Sequence, residues 1–252
     1  MKKFKLCIAI ALSASMLLLA ACGKKQETTT ATEATTEAQS PDISGGDDVP
    51  VSGGWTAFNE VITPVYTEES KKAFDKAMEE FVGVSYEPAA LLATQIVSGT
   101  NYTFLAKGTT VTAEPKTGWY FVVIYQDLEG NASVTTVNEI DFTDLKTTTD
   151  APNPEFVGGL EIAPVSDAIT LSQDMNSAFA KASENYDGVT LSPVSAIATQ
   201  VVAGTNVLMV CQGTTVTADP VESLYFVTMY MDLEQNAEFT DVQMIDMAEY
   251  TK

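Results

Sequence analysis

The chain holds 34 acidic residues, 13 lysines and three cysteines, with neither histidine nor arginine. That inventory narrows the chemistry at once. Ser-His-Asp and Cys-His nucleophiles, HExxH zinc sites and histidine acid–base catalysis all lack a member. Carboxylate pairs remain, but the acids are spread along the chain and read as a solvated surface. No metal-ligand spacing and no glycine-rich phosphate loop stands out. The expectation is therefore a protein with no metal, no cofactor and no enzymatic activity. Cys211 sits in an apolar, strand-like run and reads as a small buried core thiol. With Cys7 inside the N-terminal apolar run, no intrachain disulfide framework is expected. Cys22 is the cysteine whose surroundings suggest a reaction.

MKKFK makes a basic start, Cys7 to Ala20 is apolar, and Leu19-Ala20-Ala21-Cys22 follows. The run is short for a membrane span of roughly 20 residues, and small residues before a cysteine suit a secretory signal. The order matches a bacterial lipobox, in which the cysteine sulfur is acylated and residues 1–21 are removed. A plain signal peptide or an uncleaved anchor are the alternatives. Residues 22–49, rich in Thr, Glu and Ala, offer little to bury and read as a flexible tether. The expected location is the extracellular face of a bacterial cell membrane, held by lipid on Cys22. Without residues 1–21 the chain keeps 10 lysines against 34 acids, a formal charge of −24. Binding to nucleic acid, which requires cationic side chains in number, is excluded.

The elements behind these residues are written twice. A shift of 105 residues places Gly53-Gly54 on Gly158-Gly159, Ala73-Phe74 on Ala178-Phe179, Gly83-Val84 on Gly188-Val189 and Gln95 on Gln200. The same shift places KGTTVTAEP on QGTTVTADP and YFVVIYQDLEGNA on YFVTMYMDLEQNA, without a gap. Such a period exceeds solenoid repeats of about 20–50 residues and suits a small complete domain. The division follows: residues 50–147 form one domain, 148–154 a linker and 155–252 a second domain.

Within each copy, Thr67 and Ser172 are placed to cap a helix. Behind them Ala73, Phe74, Ala77, Met78 and Phe81, and likewise Met175, Ala178, Phe179, Ala182 and Tyr186, fall on one helical face. Gly83 and Gly188 stand where a C-terminal glycine of that helix belongs. Four strand signals follow, in the first copy near Ala89–Val97, Tyr102–Thr112, Trp119–Asp127 and Ser133–Phe142. The fold class expected is α+β, one helix wrapped by an antiparallel sheet, duplicated in tandem.

Between the first two strands of each copy lies TQIVSGTN or TQVVAGTN. A small residue and a glycine suit a tight hairpin. The apolar neighbours Ile96 and Val97, or Val201 and Val202, are unusual beside a solvent-facing turn and mark a candidate contact surface. Gln95-Ile96-Val97-Ser98-Gly99 and Gln200-Val201-Val202-Ala203-Gly204 both match QxVxG. That motif resembles the first hairpin of the cystatins, protein inhibitors of papain-like cysteine proteases. The glycine pairs Gly53-Gly54 and Gly158-Gly159 occupy the place of the cystatin trunk, and the lack of disulfides is closest to the stefin branch.

The resemblance implies a cystatin-like module and a wedge that fills a protease cleft. It assigns protease contact to Gly53, Gly54, Gln95, Ile96, Val97, Ser98 and Gly99, and to Gly158, Gly159, Gln200, Val201, Val202, Ala203 and Gly204. Small tip residues would let the backbone approach the partner, while the valines bury apolar surface. The second hairpin departs from the pattern: Leu128-Glu129-Gly130 and Leu233-Glu234-Gln235 lack the aromatic anchor that secreted cystatins carry. The function implied is inhibition of a papain-like cysteine protease. A non-inhibitory surface binding or adhesion protein is the alternative, since scaffolds outlive activities.

Overall fold

The computed structural model describes residues 55–57, 65–142 and 159–250, all of which fall in one compact unit. The expected signal segment (1–21), the expected tether (22–49, with Cys22) and the expected linker (148–154) lie outside the described residues. The first copy contributes β1 (Trp55–Ala57), α1 (Glu68–Met78), β2 (Val84–Val97), β3 (Gly99–Thr110), β4 (Thr117–Gln126) and β5 (Ala132–Glu139). The second contributes β6 (Leu160–Ile162), α2 (Val165–Ala168), α3 (Gln173–Glu184), β7 (Val189–Val202), β8 (Gly204–Thr215), β9 (Glu222–Met231), β10 (Ala237–Met244) and α4 (Met247–Tyr250). Each copy folds its strands into an antiparallel meander, in the orders β1-β2-β3-β4-β5 and β10-β9-β8-β7-β6.

Local sequence explains the helices. Thr67 Oγ1 accepts from the Ser70 amide at 3.1 Å, and the Ser70 hydroxyl in turn accepts from the Thr67 amide, which closes a capping box. Ser172 Oγ accepts from the Met175 amide at 3.2 Å. Each helix buries the middle of the expected stripe, Ala73, Phe74 and Ala77 in α1 and Ala178, Phe179 and Ala182 in α3, while Met78 and Met175 are half-buried and Phe81 and Tyr186 lie past the helix ends. The glycines, however, do not end the helices. Helix α1 stops at Met78 and α3 at Glu184, and Gly83 (φ 94°) and Gly188 (φ 105°) serve as left-handed corners that start β2 and β7. Their carbonyls accept from Val111 and Val216 at 2.9 and 2.8 Å, tying the corner to the β3–β4 and β8–β9 loops.

The long strands are buried on both faces, and alternation sorts their side chains into two cores. Toward α1 point Tyr102, Phe104, Ala106, Val122 and Ile124, with Phe74 meeting Phe104 edge to face at 5.0 Å. Toward α3 point Val207, Met209, Cys211, Val227 and Met229. The other face of the first sheet carries Leu92, Leu105, Trp119, Phe121 and Ile140, and these pack against Ile197, Leu208, Val210, Leu224, Phe226 and Ile245 of the second sheet. Phe121 and Phe226, equivalent positions in the two copies, meet at 5.8 Å. The Trp119 indole donates to the Ile197 carbonyl at 2.6 Å across the junction.

This arrangement corrects the expected fold class. The architecture is not a cystatin-like helix-on-sheet module repeated in tandem. Among the described residues it is predominantly antiparallel sheet, with helices of 11, 4, 12 and 4 residues. The physical reason is surface area. A helix of three turns covers one face of a sheet and leaves the other, also apolar, to find a cover; here the second sheet supplies it.

Candidate functional site

β2 and β3 turn about one residue, Ser98, with Val97 opposite Gly99 in the ladder; β7 and β8 turn about Ala203 in the same way. Tyrosines on the neighbouring strand hold each apex: the Tyr125 hydroxyl donates to the Ser98 carbonyl at 2.5 Å, and Tyr230 to Ala203 at 2.5 Å. Behind the apex, Asn101 Nδ2 donates to Gln95 Oε1 at 2.7 Å, and Asn206 to Gln200 at 3.1 Å. The glutamine of each motif thus braces its own hairpin.

The glycines are braces as well. Gly99 and Gly204 are buried, with φ of 131° and 135°. A Cβ at Gly99 would strike the Gln126 carbonyl and lie 2.9 Å from the Tyr125 ring; at Gly204 it would strike the Met231 carbonyl and lie 2.9 Å from the Tyr230 ring. These glycines thus have a task inside the sheet. They let β4 and β9 pass close to the turn. What faces solvent is Ser98, Ala203 and the apolar pairs: Ile96 is 38 % exposed, Val97 39 % and Val201 61 %, while Val202 is half-buried.

Beside each hairpin stands a second loop. Thr100 pairs with Gln126, so the loop from Asp127 to Asn131 begins where the first hairpin ends. Asp127 Oδ1 accepts from the Glu129 and Asn131 amides at 2.9 and 2.8 Å, and Oδ2 accepts from the Asn131 side chain at 2.8 Å. These bonds, the side-chain one foremost, hold the Asp127 carboxyl below the usual carboxylate range. Asp232 and Asn236 repeat the arrangement, with the same downward shift from the Asn236 side chain. From the last turn of each helix, Lys76 Nζ donates to the Gly130 carbonyl at 2.8 Å and Lys181 Nζ to Gln235 at 2.8 Å. The result is a rigid loop that presents Leu128, 87 % exposed, or Leu233, 80 % exposed. Glu129 and Glu234 flank them in solvent.

The glycine trunk is described only in part. Gly53, Gly54 and Gly158 lie outside the described residues; Gly159 is exposed. The edge strands that follow begin at the same end of the sheet, since Trp55 pairs with Gln95 and Leu160 with Gln200. Each sheet thus gathers an edge strand, the first hairpin and a leucine-tipped loop at one end. Sequence reasoning missed the parts that stiffen this end: Tyr125 and Tyr230, Asn101 and Asn206, Lys76 and Lys181, and the Asp-Asn pairs. Their signal was their recurrence at the repeat spacing.

Burial pushes the Cys211 thiol far above its ordinary range. Among the described residues no group of histidine, cysteine and carboxylate side chains is placed to hold a metal ion, and no helix is long and apolar enough to cross a membrane. No family model matches the chain, and no curated protein matches it either.

Proposed function

We propose that this is a lipid-anchored extracellular binding protein that occupies the cleft of a papain-like cysteine protease with one end of a sheet. The observation that carries the reading is the alignment, side by side, of the QxVxG hairpin and the leucine-tipped loop, both braced and both exposing apolar side chains. A preorganised apolar edge loses little entropy on docking. Each side chain of valine size buried fully by a partner adds roughly 1.5–3 kcal/mol. The partner class rests on the resemblance of the motif to that of the cystatins. The anchor rests on the Leu19-Ala20-Ala21-Cys22 pattern.

Titration of papain with the full mature chain in detergent tests it. Reversible inhibition, weakened at least tenfold by Val201→Asp with unchanged circular dichroism, is the expected result. Activity that persists at high micromolar protein overturns the inhibitor reading.

The internal roles of Gly99, Gly204, Gln95 and Gln200 favour a second reading. A motif that the hairpin needs for its own geometry persists without an inhibitory task. The protein would then be a non-inhibitory surface adhesion or binding lipoprotein that uses the same apolar tips. Papain left active in that titration, while the mature chain still binds host-cell or bacterial surface proteins through Val201 and Leu233, would select this reading.

A further inference from the structure

The junction between the two sheets is built from the same positions on both sides. Leu105, Phe121 and Ile140 of the first copy are the repeat equivalents of Val210, Phe226 and Ile245 of the second, and all six are buried in it. Phe121 meets its own equivalent, Phe226. The strand contacts are reciprocal as well: β2 lies against its equivalent β7, β1 against β9, and β6 against β4. Contacts in which one position meets another, and the second meets the first, define a two-fold interface between like subunits. Each inner face is therefore made for the matching face of the other copy, whether that copy belongs to the same chain or to another.

Two features let this junction part. Among the described residues, Thr103 Oγ1 and Ser195 Oγ are buried without a hydrogen-bond partner. Both are on the junction side, since Thr103 alternates into line with Leu105 and Ser195 pairs with Val210. Their equivalents in the other copy, Leu208 and Ala90, are apolar members of the same core. Each hydroxyl gives up water there for no bond in return, which weakens the apposition; parting the sheets returns it to water. The second feature is reach: the sixteen residues 143–158, outside the described part, connect the copies and span at most about 55 Å when extended.

We propose that the inner sheet faces are an interaction surface for another molecule of this chain: two chains pair by packing the first sheet of each on the second sheet of the other. The interface formed between chains is the one seen within a chain, so no new surface is needed. The bonds that cross it then run between chains, from the Trp119 indole to the Ile197 carbonyl and from Asn138 Nδ2 to the Tyr250 carbonyl, both at 2.6 Å. The pairing is independent of what the tips bind, so failure of either reading leaves the other intact.

Asn138 and Tyr250 are half-buried neighbours from opposite copies and supply the test. One batch of the full mature chain carries Asn138→Cys and a second carries Tyr250→Cys. The two are mixed in detergent at about 1 mM, the effective concentration that a short flexible linker itself provides, and oxidised. A disulfide-linked pair of chains is expected from the mixture and not from either batch alone. Melting curves check that the variants fold; Glu249→Cys with a short bis-maleimide replaces Tyr250→Cys if that variant unfolds. Thr103→Val with Ser195→Ala, added to both batches, should slow the appearance of the linked pair at least tenfold. A rate that does not change overturns the part given to the two hydroxyls. No linked pair from the mixture, with the unmodified chain sedimenting as a single chain at the same concentration, overturns the pairing.

Discussion

The two copies keep different things. At the tips they agree almost atom for atom: Tyr125 and Tyr230 hold the apex carbonyls, Gln95–Asn101 and Gln200–Asn206 brace the hairpins, and Asp127–Asn131 and Asp232–Asn236 close the loops. In the cores they diverge. Phe104 corresponds to Met209, Tyr102 to Val207 and Ala106 to Cys211 in the repeat, each at an equivalent buried position. A core accepts such exchanges where total volume is kept. A hydrogen-bonded turn does not, because each polar group in it has one partner at one distance. The junction between the sheets shows a third behaviour. Trp119 and Leu224 are equivalent, yet only the tryptophan has a donor, and its bond to Ile197, like that of Asn138 to the Tyr250 carbonyl, crosses the junction from one copy to the other.

The largest test of that contrast is at the junction. Trp119→Ala should cost about 4 kcal/mol through its cavity and the Ile197 carbonyl left without its donor, against about 3 kcal/mol for Leu224→Ala. Urea unfolding measures both. Because the core is shared, each variant should still unfold in one transition; two separated transitions would show that the sheets are energetically independent.

At the hairpins, Gly99→Ala and Gly204→Ala should each lower stability by about 2–3 kcal/mol, from positive φ and the clash with the β4 or β9 carbonyl. Val201→Asp, on the exposed side of the same turn, should leave the melting temperature nearly unchanged. Equal effects at the two positions would break the division between brace and contact surface.

The loops respond to pH. Asp127 and Asp232 have folded pKa values below their unfolded ones, so their contribution is complete above about pH 4 and fades as the pH falls through the lower folded values. Melting temperatures between pH 5 and 2 should therefore fall more steeply for the parent than for the Asp127→Asn, Asp232→Asn double variant. Parallel curves would remove the loops from acid sensitivity.

The smallest effect compares the loop corners. Gly130 holds φ 82° without strain, while Gln235 takes φ 62° with a side chain. Gln235→Gly should stabilise by about 0.5 kcal/mol and Gly130→Gln destabilise by about 1 kcal/mol, from the left-handed penalty set against unfolded-chain entropy. Thermal unfolding of the pair gives the sign.

Much of this was legible in the residues. Thr67 and Ser172 mark the helix starts, the apolar stripes behind them mark the buried faces, and the repeat spacing places the five strands and the longer helix of one copy on those of the other. The turn at Ser98 and Ala203 could be read from the glycine that follows each. The role of that glycine could not. A sequence shows that positive φ is permitted, but not that a neighbouring strand fills the space a side chain would need. The fold class failed for a similar reason. Leu105, Trp119 and Phe121 alternate with the helix-facing residues, so both faces of the strands were visibly apolar. One helix per copy covers only one of those faces.

Local order was determined by the sequence alone, because caps, alternation and turn chemistry act over a few residues and each position states its own preference. The tertiary structure decided which apolar face meets which, and that Trp119 bonds to a carbonyl 78 residues away. Those outcomes depend on contacts between distant segments, whose burial is set by all the surfaces competing for the same cover and not by any one stretch of chain.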